Sequence, residues 1–174
     1  MIKLSVQVSY KKQATLGIIG IIILLLAIEV IANVWWAAQI SCEFEQNEIF
    51  QNFDVVEKRQ LCLDFYNIQT TGDELIPNQS TDSITINSLG FRGAEFSEIK
   101  PSNTYRIFMV GGSTMFGAGA TSDETTIPGY LQQLLNEKYF GFDIEVINSG
   151  IQGAYSNTEL KFIEQKLVRF SPDL

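Results

Sequence analysis

At 174 residues, 45% of them apolar and only 18% charged, the chain is long enough for one modest domain with attachments and too hydrophobic for a disordered one. Its net charge of −8 hides an asymmetry: residues 1–12 carry Lys3, Lys11 and Lys12 and no acid, so the remainder holds 9 basic against 20 acidic residues and repels the phosphate backbones of nucleic acid. Histidine is absent, which excludes a Ser-His or Cys-His pair and any His-bearing metal site within these residues; no cofactor is expected.

Residues 16–28, LGIIGIIILLLAI, are continuously apolar. Extended to Ala38, the run passes the ~20 residues that a spanning helix needs. Lysines precede it, and Trp35 and Trp36 follow at the depth of a membrane interface, so the lipid bilayer is the first expected partner. The lysine flank predicts a cytoplasmic tail over 1–12, an anchor over 13–38 and an extracytoplasmic remainder. Glu29 interrupts the run, at a cost of about 2.5–3.5 kcal/mol if it sits at mid-membrane. A cleaved signal peptide is the alternative, but the stretch is long for one and ends in Trp-Trp without a small-x-small site.

Cys42 and Cys62 are the only cysteines, both on the expected outer side, where an even pair reads as a disulfide. Within the lead-in region 39–100, FDVVEKRQLCLDFY predicts a short amphipathic helix with Val55, Val56, Cys62, Leu63 and Phe65 partly on one side. Asn78-Gln79-Ser80 is a glycosylation sequon, weak by itself. SITIN at 83–87 alternates as a strand does. The turn that follows, Ser88-Leu89-Gly90-Phe91-Arg92-Gly93, puts a charge beside two glycines. Arg92 there reads as a solvated turn residue or, less readily, as a substrate contact.

From Tyr105 the pattern becomes strand, glycine turn, helix, twice over. YRIFMV is short and apolar, as a buried parallel strand is. Pro128 marks the first turn of a helix on which Ile127, Tyr130, Leu131, Leu134 and Leu135 recur at helical spacing. Gly141 ends that helix, and Phe142–Ile147 forms the second strand. Ser156-Asn157-Thr158-Glu159 is a capping box opening a helix with Leu160, Ile163 and Leu167 on one face. Ser171-Pro172 breaks it, and Asp173-Leu174 points into a third strand. Two β-α units in succession imply a parallel sheet, hence an α/β fold.

Both strands end in glycine-bearing turns: Gly111-Gly112-Ser113-Thr114 after the first, Asn148-Ser149-Gly150-Ile151-Gln152-Gly153 after the second. Catalytic groups collect at the carboxyl ends of parallel strands. A serine in the first turn is an exposed nucleophile, and backbone amides of the two turns are oxyanion donors. A phosphate-binding P-loop fails because Ala118 stands where lysine is required. A dinucleotide fold fails because strand two ends in Asn148 rather than an acid.

RIFMVGGSTMFGAG resembles the nucleophile block of SGNH (GDSL-like) hydrolases, and VINSGIQGAYS resembles their glycine block. The stretch N-S-x-G-F-R-G at 87–93 is similar to the lead-in of membrane-anchored members. The likeness covers about residues 83–174, half the chain. It implies the first part of a flavodoxin-like, three-layer SGNH domain over 101–174, with Ser113 as nucleophile and Gly153 as second oxyanion donor. Gly112 departs from the pattern by replacing the usual aspartate. The resemblance also implies that the blocks bearing the oxyanion asparagine and the basic histidine follow Leu174. The expected function is then a membrane-anchored serine ester hydrolase or acyl-transferring enzyme. It would act on acyl esters of glycans, lipids or small molecules, and these 174 residues alone would be inactive. The alternative is a non-catalytic anchored module that binds a surface partner.

Overall fold

The computed structural model describes residues 9–39, 42–138, 141 and 143–174. They fall into two compact units, 1–40 and 41–174. The first is one helix, α1 (Tyr10–Gln39). Its stretch Tyr10–Trp35 contains an 18-residue window of mean hydropathy 2.8 with no buried residue, so it is long and apolar enough to cross a membrane. Inside this helix the Asn33 side-chain amide donates to the Glu29 carbonyl 2.8 Å away, which satisfies one polar group that hydrocarbon would leave unpaired. Lys3 lies outside the described residues.

The second unit begins with a staple. Cys42 and Cys62 are disulfide-bonded, with Cα atoms 5.7 Å apart. They enclose two 3₁₀ turns, Glu43–Gln46 and Glu48–Phe50, and most of helix α2 (Val55–Asn67). A capping box starts α2: Glu57 N–H donates to the Asp54 carboxylate at 2.8 Å, and Asp54 N–H to the Glu57 carboxylate at 3.0 Å. The helix buries Leu61, Cys62 and Asp64, whereas Val55 and Val56 are exposed, contrary to the face expected from sequence. The cap holds the first turn without packing, and the disulfide through Cys62 decides which side turns inward. Two minimal hairpins follow, β1 (Thr70–Thr71) with β2 (Glu74–Leu75), and β3 (Gln79–Ser80) with β4 (Thr85–Ile86). The strand expected over 83–87 is thus only two residues long. Asn87 ends it, because its side-chain oxygen takes the amides of Leu89 and Phe91 and folds the backbone into a turn.

Strands β5 (Thr104–Gly111) and β6 (Asp143–Gly150) pair in parallel, from Thr104 opposite Asp143 to Gly111 opposite Gly150. The expected start of the second strand at Phe142 lies outside the described residues. Between the two come a single-turn helix, α3 (Ser113–Phe116), and α4 (Ile127–Lys138); α5 (Ser156–Gln165) follows β6. Beyond β6, Arg92 bridges to Asn148 on one side and Ile86 on the other, joining the second hairpin to the sheet. Beside β5, Leu174 N–H donates to Arg106 O and Phe108 N–H to Leu174 O, the alternation of a parallel pair. Asp173–Leu174 therefore runs alongside β5. The fold is α/β with a parallel sheet, and the unit carries no second long apolar helix among its described residues.

Parallel neighbours share a face, so Arg106, Phe108 and Val110 lie with Glu145, Ile147 and Ser149 on one side. There Phe108 and Ile147 join Phe91, Phe162, Leu167 and Phe170 in the core. The burial of α5 differs from expectation. Thr158, Phe162 and Lys166 face inward with Leu167, while Leu160 and Ile163 are exposed. Lys166 is tolerated inside because its ammonium lies over the Phe91 and Phe162 rings at 5.0 and 5.3 Å and pairs with Glu74 at 2.9 Å. The start of α5 also shifts by one residue: Tyr155 N–H donates to the Thr158 hydroxyl, so Thr158 serves as the capping side chain instead of Ser156. On α4, Ile127, Tyr130 and Leu134 are exposed, whereas Leu131 and Leu135 are half-buried, so only part of the expected stripe is covered.

Candidate active site

Ser113 is the first residue of α3, immediately beyond the carboxyl end of β5, and it is exposed. The turn lies directly on the sheet because the last pair of the ladder is Gly111 opposite Gly150. A Cβ on Gly150 would come within 2.1 Å of the Phe116 backbone nitrogen and 2.5 Å of its Cα, so only glycine lets α3 rest there. On the opposite strand, a Cβ on Gly111 would come within 2.6 Å of the Met115 Cβ. The glycine of the second turn thus makes room for the helix of the first.

The second turn closes back on the first. Ile151 N–H donates to Gly111 O at 2.9 Å, and a Cβ on Gly112 would lie 3.2 Å from the Ala154 carbonyl oxygen. Gly112, at the position where the resembled family carries aspartate, therefore stands against Ala154, the neighbour of Gly153. Gly153 is exposed, with φ +75° and open space where a side chain would be. Ser113 and Gly153 thus belong to two turns in contact at the same end of the sheet.

Behind the Ser113 turn sits Arg92, only 3% exposed. Its Nε pairs with Asp123 at 2.7 Å, Nη1 donates to Phe116 O and Gly117 O at 3.0 Å each, and Nη2 donates to Ser83 O at 2.9 Å and Ser122 O at 3.3 Å. The guanidinium also covers the Phe116 ring at 5.0 Å. Burial lowers its pKa from the usual arginine value, against the opposing pull of Asp123, Glu124 and Asp64. This corrects the reading of Arg92 as a solvated turn residue. A glycine-flanked arginine looked accessible because all of its acceptors but Ser83 O lie 24 and more residues away.

The N-S-x-G-F-R-G stretch resolves into separate tasks. Asn87 orders the turn, Gly90 adopts φ +78°, Phe91 enters the aromatic core and Arg92 reaches the Ser113 turn. Asn148 is a further residue that sequence reasoning missed. Its Nδ2 donates to Phe116 O at 3.1 Å, while its Oδ1 accepts from Gly150 N–H at 3.0 Å, tying the two turns together. Arg106, read as part of an apolar strand, is fully buried, pairs with Glu145 at 2.7 Å and ties down the carbonyls of Ser97 and Phe170.

The lead-in forms a wall beside the site. Phe65 meets Phe116 edge-on at 6.0 Å, and Gln152 donates to the Phe65 carbonyl at 2.8 Å. A Cβ on Gly119 would touch the rings of Phe50 and Phe44 at 2.9 and 3.0 Å. The disulfide-closed segment is therefore packed against the loop that follows Ser113. Among the described residues no cluster of His, Cys, Asp or Glu could hold a metal ion. Comparison of the sequence with protein-family models and with curated proteins finds no match.

Proposed function

We propose that the chain carries the nucleophile half of a membrane-anchored serine ester hydrolase of SGNH type. Ser113 Oγ attacks an acyl carbonyl, its proton passes to a base, and the oxyanion is held by the amides of Ser113 and Gly153. Collapse expels the alcohol, which takes up the proton and leaves a serine ester. Water, or a sugar hydroxyl in an acyl transfer, then releases the acyl group. The base lies outside these 174 residues, which contain no histidine. The observation that carries the reading is the joining of the two glycine turns, with α3 seated on Gly150 and Gly112 against Ala154. The disulfide supports an oxidising compartment and so an outward-facing domain, in line with the lysine-flanked anchor.

The test is covalent labelling. The product of the full reading frame should react with a fluorophosphonate at Ser113, mapped by mass spectrometry, and Ser113→Ala should abolish the adduct. The 174 residues alone should not label appreciably. The lack of histidine favours a second reading, an anchored module that binds without catalysis. That reading stands if the full product stays unlabelled at Ser113 while folded. Protease added to intact cells should remove the domain and spare the tail; a protected domain would reverse the topology.

A further inference from the structure

A helix of one turn has no stability of its own; what holds its ends decides where it points. For α3 the far end is held by three hydrogen bonds from two side chains. Phe116 O accepts from Arg92 Nη1 and Asn148 Nδ2, and Gly117 O accepts from Arg92 Nη1. These carbonyls are among the acceptors that a helix leaves unpaired at its C-terminus. The site is shaped around the guanidinium: Gly117 adopts φ +98°, and a Cβ on it would lie 3.0 Å from Arg92 Nη1 and 2.5 Å from Thr126 Cγ2. Asn148 takes the Gly150 amide on its other side, and the Arg92 backbone bridges to Asn148.

We infer that Arg92 is a positioning residue for Ser113, fixing with Asn148 the far end of the nucleophile turn and thereby its placement relative to the Gly153 turn. The inference rests on the ester-hydrolase reading above. Four helical residues span only about 6 Å, so a displacement at Phe116 is passed to Ser113 with little attenuation. Misplacement of a reacting group by 1 Å costs roughly 100-fold in rate. Lysine cannot substitute, because an ammonium lacks the planar fork that reaches Phe116, Gly117, Ser83, Ser122 and Asp123 together.

Arg92 also joins the hairpin to the sheet, so loss of stability alone does not identify its role. The discriminating measurement is fluorophosphonate labelling of the full reading-frame product, resolved into the inactivation rate constant and the reversible binding constant. In folded R92K the rate constant should fall about 10- to 100-fold while reversible binding changes less than about threefold. R92M should fall at least as far. D123N keeps the guanidinium and removes the charge of its Nε partner, which also accepts from Thr85 N–H, and it should fall by less than about tenfold yet measurably. Folded R92K labelling at the wild-type rate constant, or losing binding instead of rate, overturns the inference and leaves Ser113 as nucleophile. If R92K does not fold, D123N at the wild-type rate constant overturns it equally. Absence of Ser113 labelling in the wild-type protein overturns this inference and the hydrolase reading together.

Discussion

The two faces of the β5–β6 pair are built on different principles. On the α5 side, rings fill the space: Phe91 stands 5.4 Å from Phe96, 5.5 Å from Phe108 and 5.4 Å from Phe170, centroid to centroid. On the α3 side, the Phe116 backbone rests on Gly150 and the Met115 side chain on Gly111, and beyond that seam Tyr105, at 41% exposure, and Tyr130, at 54%, face solvent. The first arrangement gains stability from apolar area and aromatic pairing. The second rests on close approaches at two glycines that leave α3 little room to shift.

That contrast can be broken in graded steps. Phe91→Ala should have the largest effect, destabilising the unit by about 3–5 kcal/mol in denaturant titration, since a fully buried ring leaves a cavity among its neighbours. Removing the staple with Cys42→Ser and Cys62→Ser should cost about 3 kcal/mol for a loop of this length. It should also loosen the Phe44, Phe50 and Phe65 wall, read as faster amide exchange over 113–120. Gly150→Ala should cost about 1–3 kcal/mol by overpacking, yet nearly abolish labelling of Ser113, because the obstructing atoms are backbone. A stable, fully reactive Gly150→Ala protein would mean that the seam does not set the nucleophile. On the uncovered side, Leu134→Ser should change stability by no more than about 0.5 kcal/mol.

The smallest effect concerns acid. Hydrogen bonds from Lys100 and from the Arg106 amide hold the Asp173 carboxyl below its ordinary value. Its folded pKa is depressed, so its contribution is complete above the unfolded value near ~3.9 and is lost as pH falls through the folded one. Asp173→Asn should therefore remove that small contribution at neutral pH and flatten the acid limb of the stability curve below about pH 4. An unaltered acid limb would show that this exposed pair is screened out.

Local signals carried much of the architecture. The apolar run became α1, and YRIFMV became β5 with one residue added at each end. The second strand ran three residues further than its apolar pattern, through Asn148-Ser149-Gly150, because the ladder continues to Gly111 opposite Gly150. Faces were less legible. Leu160 and Ile163 looked like the inner side of α5, but aromatic rings make a place for Lys166 that no helical period announces.

By itself the sequence determined a long apolar helix, two β-α units and a glycine turn after each strand, because such features rest on periodicity and backbone sterics within a few residues. Only the tertiary structure decided that Gly150 makes room for α3, that Phe91 joins Phe170, and that Arg92 turns inward to Phe116 and Gly117. Those partners lie 24 to 79 positions apart in the chain, and the burial that makes a hydrogen bond to a bare carbonyl worthwhile exists only once the sheet has brought them together.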